Sequence, residues 1–303
     1  MTPFAIAGIQ MPISARESNI DAMLERLAIC VSRFPWVQMV MFSELAAHGP
    51  YIHHAEPVGG PTETAFCKAA AKHGIWVLPG SYFEKAPDGK IYNTAPAISP
   101  AGEVVTRCRK LFPFLPYEVG VEGGNEVCVF DVPSVGRIGI SICYDIWFPE
   151  TTRMLSALGA EVLLHPVLTG TVDRDVETAI ARATAAQFQL YVFDINGLGA
   201  GGVGQSAVIG PTGTTLHNAK TGEEMMPIEI DFDLVRRQRE CGLQGLGQPL
   251  KSFRDRSARF PIYEQGYEGP DYSKMLGPLA VPARGTNTLA PAPLSLILDK
   301  RSA

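Results

Sequence analysis

Residues 137–150 read Arg137-Ile-Gly-Ile-Ser-Ile142-Cys143-Tyr-Asp-Ile-Trp-Phe-Pro149-Glu150. Nearly every position from Arg137 to Ile142 is apolar, the pattern of a strand covered on both faces rather than one. The run stops at a cysteine, and Pro149 opens a helical pattern reaching Leu158, a first-turn position where the missing N–H is not needed. A covered strand that hands over to a helix is the repeating unit of an α/β protein. Upstream, Phe4–Ile9 reads as a buried strand, and Ile20, Met23, Leu24, Leu27, Ala28 and Val31 recur at helical spacing. Val37–Phe42 is a second strand, Thr62–His73 a helix stopped by Gly74, and Ile75–Phe83 a further strand. Downstream, Glu161–Leu164, a helix over Val172–Gln187 and Leu190–Ile195 follow in βαβ order, with a Pro211-Thr-Gly213 turn inside a strand pair. Helices on two faces of strand-rich layers predict an α/β sandwich.

Composition narrows the function classes. The 303 residues are 46% hydrophobic and 19% charged, with mean hydropathy +0.07, which is a chain able to bury a large core. Lys+Arg 26 against Asp+Glu 31 leaves a net charge of −5 and gives no general attraction to nucleic acid or anionic membranes. No run approaches the length of a membrane span, and the N-terminal stretch lacks the basic and apolar regions of a secretion signal. The six cysteines form no CxxC pair, so structural zinc and a disulfide framework are disfavoured and a reducing cytoplasm is expected. No cofactor or metal is expected.

Three ionisable residues stand where α/β proteins place reactive groups, just past strand ends. Glu44 follows the second strand, Lys110 ends the extended segment from Glu103, and Cys143 ends the quoted strand. A buried cysteine is ordinarily a small hydrophobe. At a strand-to-helix junction, however, backbone N–H groups and a cation such as Lys110 are expected to lower a thiol's pKa.

These residues carry a resemblance. Glu44 in Phe-Ser-Glu-Leu, Lys110 in Arg-Lys-Leu-Phe-Pro-Phe-Leu-Pro-Tyr-Glu and Cys143 in Ile-Cys-Tyr-Asp-Ile-Trp-Phe-Pro-Glu resemble the motifs of the nitrilase superfamily of carbon–nitrogen hydrolases, in the family's order. The likeness runs from residue 4 to about 235 and includes Ala181-Arg-Ala183, Asn196 and Gly204-Gln-Ser206. It implies a four-layer αββα sandwich with a Glu44–Lys110–Cys143 catalytic set. It also implies a second glutamate eight residues after the lysine, as in the amidase branch, which is Glu118 here, with Glu122 and Glu126 as competitors. In that chemistry Cys143 attacks an amide carbonyl to form a thioester. Lys110 and the backbone N–H of Tyr144 support the oxyanion, and Glu44, its pKa raised by burial, moves the protons. Glu118 orients Lys110 or the substrate nitrogen.

The chain departs from the pattern in places. Ser43 replaces the usual proline before the glutamate. Tyr144-Asp145 replaces the Trp-Glu of true nitrilases and favours amide over nitrile. Ile146 and Trp147 stand where N-carbamoyl-D-amino-acid hydrolases carry arginines, whereas Trp147-Phe-Pro-Glu150 resembles the branch acting on carbamoylated polyamines and dicarboxylic monoamides. The expected enzyme is therefore an amidase acting on a small amide. The alternatives are an N-carbamoyl amine hydrolase or nitrilase with the same triad, or a non-catalytic binding member. Phe114, Tyr144, Trp147 and His165 are candidate substrate contacts; His48, His53 and His54 read as a pocket loop rather than a metal set, and Gly199–Gly204 as no phosphate loop.

The division expected is a hydrolase domain over 1–241 and an arm over 242–303. The arm is weakly periodic yet keeps Leu250, Phe253, Phe260, Ile262, Tyr263, Tyr267, Tyr272, Leu276 and Leu279, which need a surface to bury against. With the resemblance, it predicts a homodimer or a larger assembly of dimers, the arm lying partly over the partner subunit.

Overall fold

The computed structural model describes residues 1–170 and 173–281. Chain contacts divide it into two units: residues 1–113 with 120–250, and residues 114–119 with the arm from Lys251 onward.

In the larger unit the chain runs β1 (Pro3–Gln10), α1 (Ile20–Arg33), β2 (Met39–Met41), β3 (Glu56–Pro57), α2 (Pro61–His73) and β4 (Trp76–Leu78). Then come β5 (Tyr82–Lys85), β6 (Ile91–Ile98), β7 (Val104–Arg109), β8 (Val121–Glu122), β9 (Cys128–Val132) and β10 (Gly136–Ile140). The last part holds α3 (Pro149–Ala157), β11 (Val162–Val167), α4 (Arg174–Phe188) and β12 (Tyr191–Asn196). A hairpin of β13 (Leu198–Gly199) and β14 (Gly202–Val203), then β15 (Ala207–Ile209), β16 (Thr215–Asn218), β17 (Glu224–Asp231) and α5 (Phe232–Cys241), complete it.

The strands form two main sheets. One is ordered β17-β1-β2-β4-β6-β5-β3, with β7 and β8 also paired to β6; the other is ordered β16-β15-β12-β11-β10-β9. Pairs β1–β2, β2–β4, β10–β11 and β11–β12 are parallel, joined by crossover helices. The pleat sends alternate side chains to opposite faces. Ile6, Met39, Met41 and Leu78 from one sheet meet Ile138, Ile140, Leu164 and Phe193 from the other in the central core. Ala7, Ile9, Val40 and Val77 turn outward onto Met23 and Leu27 of α1 and Phe66 and Ala70 of α2. Leu163, Val192 and Ile209 turn onto Leu155 of α3 and Ala181, Ala185 and Phe188 of α4. Helix, sheet, sheet, helix is the four-layer order implied by the resemblance.

The expected elements recur with adjusted ends. Gly74 at φ +64° stops α2, and Pro61 opens it. The α4 helix starts at Arg174; Val172, the expected start, lies outside the described residues. The single strand expected over Ile75–Phe83 is two, β4 and β5, with β6 between them in the sheet. Gly80 breaks it at φ +76°, and a Cβ there would stand 1.8 Å from the Ser43 carbonyl oxygen. That close approach seats the segment leading to Glu44. The larger unit runs to Leu250, which packs with the α3–α4 core. Among the described residues no helix is long and apolar enough to cross a membrane.

Candidate active site

Glu44 lies beyond the C-terminal end of β2, Cys143 beyond β10 and Lys110 directly after β7. The Glu44 N–H donates to the Val167 carbonyl at 3.2 Å, and the Leu45 N–H to Ser81 Oγ at 3.1 Å. The Lys110 N–H donates to Asn93 O at 2.8 Å, while Lys110 O accepts from Gly124 N–H at 2.8 Å. Backbone bonds therefore anchor the main chain at both residues. Lys110 Nζ donates to Glu44 Oε1 at 2.9 Å, and Asn93 Nδ2 to the same oxygen at 2.8 Å. Glu44 and Lys110 are almost wholly buried, at 3% and 1% exposure. A buried ion pair with matched hydrogen bonds is costly to break from either side.

Cys143 opens a short 3-10 turn, Cys143–Trp147, at φ +45°. A non-glycine residue in this region carries about 1–3 kcal/mol of strain, and such strain collects at functional sites. Asp145 fastens the turn to the lysine loop. Its Oδ1 accepts from the Leu111 and Phe112 N–H groups at 3.0 and 2.8 Å, and its Oδ2 from the Ile142 N–H at 3.1 Å. Burial pushes the Asp145 carboxyl up to about 7 even against the donors from Phe112 and Ile142. The segment after Lys110 and the strand end before Cys143 are thereby tied to one side chain.

The thiol's electrostatics reverse one expectation. Burial is the largest influence and pushes Cys143 well above the usual thiol range; the Glu44 charge adds to this, and Lys110 only partly offsets it. Both influences disfavour the thiolate, so the chemistry calls for a neighbouring group that takes the proton as the sulfur reacts.

His165 is buried, with Nδ1 2.8 Å from the Ser141 carbonyl oxygen, so it supports the strand end leading to Cys143; burial lowers its pKa. Half-buried Tyr144 and Trp147 stand with their ring centroids 6.1 Å apart, and Phe148 stacks on Phe112 at 3.7 Å. Phe148 also meets the Tyr144 ring edge-on at 5.2 Å; neither Phe112 nor Phe148 was singled out from sequence. Phe114 and Glu118 belong to the second unit, where the Phe114 N–H donates to Glu118 Oε2 and the Glu118 N–H to Phe114 O.

The histidine loop is knitted locally. His48 Nε2 lies 2.9 Å from Glu56 Oε1 and 3.0 Å from Thr62 Oγ1, and the His53 and His54 rings are 4.1 Å apart. Among the described residues no group of three or more His, Cys, Asp or Glu side chains is placed to hold a metal ion. Cavities of about 380 Å³, beside Asp175 and Lys220, and about 600 Å³, beside Leu24 and Lys68, include none of Glu44, Lys110 and Cys143 in their walls.

Asn93, on Glu44, and Asp145, between the lysine loop and the cysteine turn, were not singled out from sequence. Only Asp145 carried a signal, being two residues beyond the cysteine.

Comparison with known proteins gives a consistent result. A family model described as carbon-nitrogen hydrolase matches residues 5–240. A formamidase of Bacillus cereus is 30% identical over 233 residues, 70% of this chain and 69% of its own length. Nit3 of Saccharomyces cerevisiae, a member of branch 10 of the nitrilase superfamily, superposes with TM-score 0.71 at 24% identity, covering 79% of this chain and 94% of its own. A mutant of the amidase from Nesterenkonia sp. AN1, solved with butyramide, gives TM-score 0.68 at 21% identity over 78% and 94%.

Proposed function

The chain belongs to the carbon–nitrogen hydrolase family, the nitrilase superfamily, and on that premise we propose that it is a thiol amidase hydrolysing a small, largely uncharged amide to its carboxylic acid and ammonia. The carrying observation is a strained, buried thiol under the combined charges of a buried Glu44–Lys110 pair. Cys143 Sγ bonds to the carbonyl carbon as its proton leaves for Glu44. The proton then passes to the leaving nitrogen, the C–N bond breaks and a thioester remains. Glu44 next takes a proton from water as the water oxygen bonds to the acyl carbon; the C–S bond breaks, Glu44 returns the proton to Cys143 Sγ and the acid leaves. Lys110, with the Tyr144 backbone N–H, balances the oxyanion, a contribution of roughly 3–4 kcal/mol per donor in comparable sites.

Tyr144 and Trp147, with Phe112 and Phe148, suit an apolar acyl group, and formamidase relatives favour a short one. The implied role of Glu118 in orienting the substrate nitrogen is part of this proposal, and turnover of Glu118→Gln tests it. The arm's exposed Ile262, Tyr263, Leu276 and Leu279 support a homodimer or larger assembly, with the arm over the partner subunit.

Ammonia release across matched amides, carbamoyl compounds and nitriles, with Cys143→Ala as control, tests the reading. Amides should be consumed fastest, and the variant should be inactive but folded by circular dichroism. Faster nitrile or carbamoyl turnover moves the protein to those branches, and an active Cys143→Ala removes the thioester.

A further inference from the structure

A second polar chain reaches Cys143 from α4. Thr169, two residues beyond β11, places Oγ1 3.7 Å from Cys143 Sγ and 3.1 Å from Glu177 Oε1. Its backbone is pinned on both sides by Asn196, which accepts from the Thr169 N–H at 3.0 Å and donates to Thr169 O at 2.9 Å. Glu177, 5% exposed on the first turn of α4, also accepts the Trp147 indole N–H at 3.4 Å, and its Oε2 accepts from Arg174 Nη1 at 3.4 Å. Arg174 in turn pairs with Asp194 at 3.2 Å and donates to Gln205 O at 2.8 Å. Asn196 and Asp194 belong to β12, and Arg174 and Glu177 to the first turn of α4.

A threonine hydroxyl has one proton and two acceptor sites. Paired with a carboxylate at 3.1 Å, that proton points to Glu177, which leaves an oxygen lone pair for the Cys143 S–H. The row is thiol, hydroxyl, carboxylate.

We propose that Thr169 and Glu177 form a second proton route out of Cys143, separate from Glu44. The Sγ–H bond breaks as a new Thr169 Oγ1–H bond forms, while the original Oγ1–H proton passes to Glu177 Oε1. The products are a thiolate that accepts from the Thr169 hydroxyl, an unchanged threonine and a neutral Glu177 carboxyl, with no co-reactant and no change in net charge. Thr169 touches the reacting sulfur and is catalytic; Glu177 acts through it. Burial and the Asp194 charge raise the Glu177 carboxyl above its ordinary range, partly opposed by Arg174 and the donors from Thr169 and Trp147, so it is a better proton acceptor than a surface glutamate. Glu44 and Lys110 also act on the sulfur, in opposite senses. The inference rests on Cys143 being the nucleophile and leaves Glu44 for the leaving nitrogen and the water.

Alkylation by iodoacetamide needs no amide substrate, so it separates this route from the amidase reading. The rate is followed against pH on the full chain by mass spectrometry of the Cys143 peptide, with exposed Cys241 as internal control. An isolated thiol loses reactivity tenfold per pH unit below its pKa. A thiol sharing its proton with an internal carboxylate keeps a pH-independent rate. Glu44→Gln should keep such a plateau below neutral pH. Adding Thr169→Val or Glu177→Gln should remove it, at least a tenfold loss at pH 6, and adding Thr169→Ser should not. A plateau that survives Thr169→Val, or is already absent in Glu44→Gln, overturns the route. If Glu44→Gln does not fold, Glu44→Leu carries the same comparison of Thr169→Val with Thr169→Ser, and equal rates there overturn the route. Failure of every amide in the panel would overturn the amidase reading and leave this result standing.

Discussion

Replacing Asp145 with Asn isolates the charge that ties the lysine loop to the cysteine turn. The amide keeps an oxygen for the Leu111 and Phe112 N–H groups, but turns an NH₂ toward the Ile142 N–H that Oδ2 now accepts. In the unfolded chain an aspartate titrates near 3.8, and in the fold burial holds this one at about 7. That is a difference of roughly three pH units, or about 4 kcal/mol at 1.36 kcal/mol per unit. Between about pH 4 and 7 the folded protein keeps a proton that the unfolded chain has released. Stability from this group is therefore greatest at acid pH, falls as pH rises toward about 7, and is level above it. Asp145→Asn has no such slope. At pH 5 the variant should be less stable by about 1–2 kcal/mol, for the orphaned Ile142 N–H. By pH 8 the difference should have moved about 3 kcal/mol in the variant's favour, most of the 4 kcal/mol falling in this window. Urea unfolding followed by tryptophan fluorescence, at one protein concentration and at pH 5, 6.5 and 8, measures the difference. A difference constant within about 1 kcal/mol would mean that Asp145 is ionised in the fold throughout, and the argument from burial would be wrong.

Lys110→Met removes a cation that lowers the Cys143 thiol, so alkylation of Cys143 should move to higher pH and amide turnover should fall at least about a hundredfold; an unmoved profile refutes the coupling. Gly80→Ala forces a Cβ to 1.8 Å from Ser43 O at φ +76°, and thermal unfolding should show a loss of several degrees together with reduced turnover. A melting temperature unchanged within about 2 °C would contradict the packing there. Truncation after Leu250, the end of the larger unit, should reduce the assembly size measured by light scattering; a soluble chain of unchanged size removes the arm from the interface.

Periodicity in the chain is enough to identify the α/β layers, because an apolar strand covered on both faces and an amphipathic helix each write a local pattern. Gly74 and Pro61 mark the ends of α2 for equally local reasons, the one tolerating positive φ and the other needing no N–H. Glu44, Lys110 and Cys143 are legible too, since each follows a recognisable strand and sits in a motif of its own. The break at Gly80 is not, because its cause is the Ser43 carbonyl, which is distant in sequence. Asn93, Thr169 and Glu177 are ordinary polar residues along the chain and gain meaning only when backbone anchors bring them to Glu44 and Cys143. The direction of the Cys143 shift was likewise decided by tertiary structure. A lysine near a thiol lowers its pKa in any pairwise reading, but burial and Glu44 act on the same sulfur and together outweigh it. Solvent exclusion is a property of the closed sandwich around the atom, and no local stretch of sequence encodes it.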